Sequence, residues 1–250
     1  QKKSSVHDGK PVLVLCIRGD PRGSYHLIIR KLMKKILICC VFLLGLVVRG
    51  DEQKKDLPKV LIIGDSISNG YTKPLKELME GEADISHNPG NAQHSRFGLE
   101  RLESWLGDVQ WDVIHFNHGL HDLKYVDANG KNTRSREIGH IQIGLEEYGN
   151  NMEAIVKRLK LTGAKLIFAT TTPFPDEPSG PLREAKQVGR YNRVALRIMK
   201  EQGVTVNDLH GFALPRLGEI QQPNNVHFTP AGSKALAIEV KQHIERMIAK

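Results

Sequence analysis

Cysteine is scarce and confined: the chain of 250 residues has three, Cys16, Cys39 and Cys40, all before residue 51. Residues 51–250 therefore have no disulfide and no thiol chemistry, and a domain of that size buries enough surface to fold without such staples. An excess of one charge is missing from the same stretch. The formal net charge of +8 lies wholly in the first 50 residues, which hold ten Lys/Arg and two Asp/Glu, leaving 26 of each sign behind. A nucleic-acid partner would need positive charge clustered on the folded domain, so none is expected. A membrane-spanning run is missing too. The apolar stretch ILICCVFLLGLVV has 13 residues, too few to span a bilayer.

That stretch follows Met33-Lys34-Lys35 and precedes small residues, Val48 and Gly50. A short basic start, an apolar middle and a small-residue exit describe a secretory signal peptide. The expected organisation is an upstream extension over 1–32, a signal peptide over 33–50 and one domain over 51–250. Secretion, or export to a periplasm, follows from that expectation.

Within 51–250, apolar runs alternate with amphipathic ones. Strands are predicted at 59–63, 83–87, 111–117, 165–171 and 204–208, and helices near 72–80, 97–106, 142–161, 184–201 and 230–248. Strict alternation predicts a flavodoxin-like three-layer α/β/α sandwich around a parallel sheet of about five strands. Two long connections, 123–140 and 172–182, follow strands and belong at the carboxyl edge, where such sheets bind ligands.

KVLIIGDSISNGY, residues 59–71, opens the domain. Its apolar run reads as a strand buried on both faces, ending in Gly64-Asp65-Ser66. Asp and Ser there could simply cap a helix, or Ser66 could be a nucleophile. A hydrolytic serine needs a base and donors for the oxyanion. NNVHFTPAG places His227 before the last helix. HNPGNAQHS at 87–95 and NHGLHD at 117–122 offer Gly90, Gly119, His121 and Asp122. The G-x-S-x-G elbow is absent because Ser68 stands where glycine should, and no G-K-[ST] ending makes a phosphate loop.

In their order, these four blocks resemble the SGNH (GDSL-type) hydrolase family over nearly all of 58–248. The GLHD and NVHFT forms resemble a branch of secreted bacterial esterases acting on sugar esters. The resemblance implies Ser66 as nucleophile and His227 as base, with the Ser66 N–H, the Gly90 or Ala92 N–H, and the His121 side chain in the oxyanion hole. His121 stands where the family has asparagine, and a neutral imidazole N–H can still donate. Asn224 stands where the family has the triad aspartate. The group orienting His227 is then Asn224, Asp122 or a backbone carbonyl. No cofactor and no metal are called for. His115, His118 and His121 are spaced three apart, which puts neighbours on opposite strand faces. Trp105 and Trp111 read as packing anchors, and Lys131, Arg134 and Arg136 as a solvated stretch. The implied activity is hydrolysis of small acyl, above all acetyl, esters on a small-molecule or polysaccharide carbohydrate. The alternatives are a lysophospholipase or thioesterase, and a carbohydrate-binding protein whose catalysis has decayed.

Overall fold

The strand candidates assemble into one sheet. A computed structural model of the protein describes residues 56–249 apart from Glu177. The expected extension over 1–32, the signal peptide over 33–50 and all three cysteines lie outside the described residues. Strands β1 (Lys59–Ile63), β2 (Asp84–His87), β3 (Val113–Phe116), β6 (Lys165–Ala169) and β7 (Thr205–Asn207) pair in the order β2-β1-β3-β6-β7. Every pairing in that sheet is parallel. This is the doubly wound order, with its crevice beside β1 and β3 at their carboxyl ends. Val60 to Ile63 and all of β3 are buried, which is why both runs are continuously apolar rather than alternating.

Helices α1 (Ser66–Leu78) and α7 (Pro230–Ile248) pack together on one face. On the other, α2 (Ser95–Leu106), α3 (Leu145–Lys160) and α4 (Ala185–Gln202) pack in succession, so the architecture is a three-layer α/β/α sandwich. In α3, Met152, Ile155, Val156 and Leu159 form the buried stripe. Trp105 and Trp111 lie in the core, the latter donating its indole N–H to the Leu106 carbonyl at 2.9 Å.

The first helix begins six residues before its expected start. Its apolar stripe Ile67, Tyr71 and Leu75 is interrupted by Ser68, Gly70 and Thr72, and Pro74 lies inside it. Asp65 sets the true start: its Oδ1 accepts the Ile67 N–H at 2.9 Å, a helix N-cap. Burial of Tyr71 and Leu75 then offsets the poor propensity of the first turns.

One of the two long connections is more ordered than its composition suggests. Loop 123–140 carries a two-stranded antiparallel ribbon, β4 (Tyr125–Val126) with β5 (His140–Ile141). Its basic residues Lys131, Arg134 and Arg136 are exposed, as expected from sequence, and two of them also reach across to neighbouring segments. Arg134 donates to the Pro178 and Gly180 carbonyls at 2.9 Å, and Arg136 pairs with Glu184 at 2.8 Å. The segment between β7 and α7 adds two short helices, α5 (Leu209–Ala213) and α6 (Leu217–Ile220), joined by a 3₁₀ turn over Leu214–Arg216.

Candidate active site

Ser66 is the first residue of α1, just past the carboxyl end of β1. The turn before it depends on glycine. Gly64 N–H donates to Asn88 Oδ1 at 2.8 Å, and the Gly64 carbonyl accepts the Ala92 N–H at 2.9 Å. A Cβ on Gly64 would stand 2.6 Å from Ser68 Oγ, so no larger residue fits. Ser66 is half-buried, whereas its neighbours Asp65, Ile67 and Ser68 are buried. No described residue accepts its backbone N–H. That N–H is one of the unpaired donors at the positive end of the helix.

His227 reaches Ser66 from the far end of the chain: Nε2 lies 2.8 Å from Ser66 Oγ. It stands in a loop closed by the Gln222 N–H donating to the His227 carbonyl at 2.9 Å and by an antiparallel bridge between Gln221 and Phe228. Val226 and Phe228 are buried on either side of it, so alternation turns His227 outward, toward the serine.

The orienting group is Asn225. Its Oδ1 accepts both the His227 backbone N–H, at 3.0 Å, and Nδ1 of the ring, at 2.8 Å. Its Nδ2 donates to Gln222 Oε1 at 3.3 Å. The backbone N–H can only donate, so the oxygen of the Asn225 amide must face His227. Nδ1 must then carry a proton, which assigns Nε2, on the serine side, as the nitrogen that can act as base. The expected partners do not take this place. Asn224 is exposed, with left-handed backbone (φ 50°), and its carbonyl accepts the Ser179 N–H at 2.7 Å. Asp122 is buried elsewhere, accepting the N–H and hydroxyl of Ser95 at 2.9 and 2.5 Å. Burial pushes its carboxyl up to about 7 despite those bonds. A polar residue two before a loop histidine was the available signal. The D-x-x-H spacing of the family drew attention to position 224 instead.

The expected oxyanion donors divide. The Ala92 N–H is committed to Gly64, whereas Gly90 (φ 70°) has no acceptor for its N–H among the described residues. The Gly90 carbonyl accepts Asn69 Nδ2 at 3.0 Å, which fixes the peptide that follows. His121 lies in the turn after β3 with Nδ1 buried and unpartnered. Burial, and then the charges of Lys124 and Arg183, hold its ring down to about 3, so it is neutral. Gly119 makes that turn possible, because a Cβ there (φ 146°) would sit 2.1 Å from Thr171 Oγ1. The three histidines of the segment diverge: His115 meets Asn207 and His118 faces the Gln93 carbonyl. Among the described residues, no three His, Cys, Asp or Glu side chains are grouped to hold a metal ion. The small cavity under Asp65, Ser68 and Thr170–Thr172 has about 10 Å³, so no ester enters there.

A serine hydroxyl within hydrogen-bond distance of a histidine ring, at the carboxyl edge of a doubly wound sheet, defines a serine hydrolase acting on ester bonds. The chain belongs to the GDSL-like lipase/acylhydrolase family, whose model matches residues 62–235. Its fold is similar to that of solved SGNH-type enzymes. A lipase/acylhydrolase from Enterococcus faecalis has 20% identity and a TM-score of 0.60, over 75% of this chain and 95% of that one. The acetyl xylan esterase AlAXEase has 15% identity and a TM-score of 0.58, over 74% and 99%. The esterase EstA from Pseudoalteromonas sp. has 14% identity and a TM-score of 0.58, over 77% and 99%. At these identities the likeness is one of fold. No curated protein matches the chain. No helix among the described residues is long and apolar enough to cross a membrane.

Proposed function

We propose that the protein is an esterase that removes small acyl groups, above all acetyl, from carbohydrates through a Ser66 acyl-enzyme. The observation that carries this reading is the bond between Ser66 Oγ and His227 Nε2, with the ring tautomer fixed by Asn225. Ser66 Oγ attacks the ester carbonyl carbon while Nε2 takes its proton. The oxyanion is held by the N–H groups of Ser66 and Gly90, with the neutral His121 ring beside them. Collapse of the adduct expels the sugar alkoxide, which takes the proton from His227, and leaves the acyl group on Ser66. Water, deprotonated by the same ring, then releases the acid and restores the serine.

Asn225 fixes geometry but contributes no charge to the imidazolium that forms, so turnover should lie below that of an aspartate-assisted enzyme. The preference for a sugar acetate is supported by family membership and by the similarity in fold to an acetyl xylan esterase. The polar loop 123–140 speaks against a long acyl groove. Export is part of the reading, supported by the apolar run after Met33-Lys34-Lys35. Amino-terminal sequencing of the exported protein should find a start near Asp51, and a start before Met33 would remove that part.

The test of substrate class is a panel of acetylated sugars set against p-nitrophenyl esters of increasing acyl length. Preference for acetyl supports the proposal. A rising preference with chain length points to a lysophospholipase or thioesterase, and no hydrolysis at all points to a binding protein.

A further inference from the structure

Two cations of the chain are buried beside the site, near the carboxylates of Asp65 and Asp122 but in direct contact with neither. Arg183 is 6% exposed and Lys124 is 9% exposed, and neither forms an ion pair among the described residues. Burying an unpaired charge is costly, and both groups register it. Burial lowers the pKa of Lys124, and pushes that of Arg183 down to about 10. They are also close enough for the Arg183 charge to add to the lowering at Lys124.

Hydrogen bonds place the two together at the carboxyl edge of the sheet. The Tyr125 N–H donates to the Leu182 carbonyl at 2.9 Å, laying segment 182–183 against 124–125. Arg183 Nε donates to the Leu120 carbonyl at 3.1 Å, next to His121. The loop leading to Arg183 is tied to the base loop twice, by Ser179 N–H to the Asn224 carbonyl and by Gln221 Nε2 to the Pro173 carbonyl at 2.9 Å. Arg183 lines a cavity of about 350 Å³ with Arg136, Asp176, Glu184 and Lys186. Glu184 is occupied by Arg136 at 2.8 Å and Lys186 at 3.6 Å, and Asp176 is an exposed residue of the wall. With Nε committed to Leu120, the two Nη groups of Arg183 make no hydrogen bond to any described residue. That free edge of a guanidinium matches the two oxygens of a carboxylate.

We infer that Arg183, backed by Lys124, binds a carboxylate on the substrate, so that the ester cleaved is carried by an acidic sugar of the uronate type. The inference rests on the esterase reading and narrows it. Asp65, whose charge neighbours include both Arg183 and His227, links the cationic wall to the reacting pair. A carboxylate on Arg183 would be held beside the turn that carries His121, because the Leu120 carbonyl accepts the Arg183 Nε–H.

The experiment compares kcat/KM for an O-acetyl uronic acid with that for its methyl ester, on the wild-type protein. It adds calorimetric binding of glucuronate and of glucose. A charge-assisted pair predicts a preference for the acid of roughly ten- to a hundredfold, with glucuronate bound and glucose not. R183Q should shrink that ratio toward one, and R183K should recover part of it, because charge returns without the fork. Equal kcat/KM for acid and ester, with no glucuronate binding, overturns the inference and leaves the esterase standing. Glucuronate binding without hydrolysis of either ester supports the carboxylate site and overturns the esterase reading. Binding of sulfate or phosphate in preference to glucuronate overturns the carboxylate assignment.

Discussion

Two serine–histidine pairs stand two residues apart on the same helix, at nearly the same distance, and only one is built to react. Ser66 Oγ lies 2.8 Å from His227 Nε2, and Ser68 Oγ lies 2.7 Å from His87 Nε2. Both rings have an acceptor at Nδ1: the Asn225 side chain for His227, the Asn88 carbonyl for His87. The surroundings differ. Ser68 is 3% exposed, lies beneath Gly64, and has the Asp65 carbonyl at 2.7 Å competing for its single proton. Burial lowers the pKa of His87. Ser66 is half-buried, and its own backbone N–H is without an acceptor among the described residues. Distance alone therefore does not make a nucleophile; space and waiting donors do. The buried pair sits beneath the Gly64–Ser66 turn, and the open pair is the one proposed to do the chemistry.

The largest effect should come from Ser66→Ala, which is expected to lower kcat by about 10⁴ or more with little change in Tm. A collapse in stability would instead make Ser66 a capping residue. Removing the orienting group comes next. Asn225→Ala leaves the ring tautomer unfixed and should cost roughly tenfold in kcat, the value of one hydrogen bond in the transition state. Asn225→Asp should raise kcat and move the acidic limb of the pH–rate profile upward, because a carboxylate stabilises the imidazolium. Asn224→Asp should change neither. Ser68→Ala breaks the comparison from the other side. It leaves buried polar groups unpaired, so it should lose about 1–3 kcal/mol of stability and far less activity than Ser66→Ala.

The last effect is in the pH dependence of stability. His115, His118 and His121 are held down to about 3, 4 and 3, burial being the main cause, against an ordinary value of 6.5. The stability they contribute is full above pH 6.5 and is lost as pH falls toward those values. Asp122 works oppositely. Its carboxyl, raised from 3.8 to about 7, contributes stability that is greatest at low pH and lost as pH rises through 7. Thermal melts should show Tm falling between pH 6.5 and 4, more steeply in Asp122→Asn, which lacks the offsetting gain.

The sheet was legible in sequence because its three central strands are buried on both faces, and continuous runs such as Val113–Phe116 have few other readings. Helices α2, α3, α4 and α7 were legible within a few residues from their stripes. The start of α1 was not, since capping by Asp65 and packing against α7 outweigh Ser68, Gly70 and Pro74. Ser66 and His227 were visible as motifs. Asn225 was not, because a hydrogen bond between residues two apart depends on the bend that Asn224 makes in left-handed backbone. Arg183 was invisible for another reason. Only the fold brings 182–183 alongside 124–125, and a buried cation looks like a solvated one in sequence.

The most direct test of the central claim is a fluorophosphonate probe followed by peptide mapping in wild type, Ser66→Ala and Ser68→Ala. The predicted result is one covalent adduct on Ser66 in wild type, lost in Ser66→Ala and retained in folded Ser68→Ala. An adduct on Ser68, or none in a folded wild-type protein, would contradict the account.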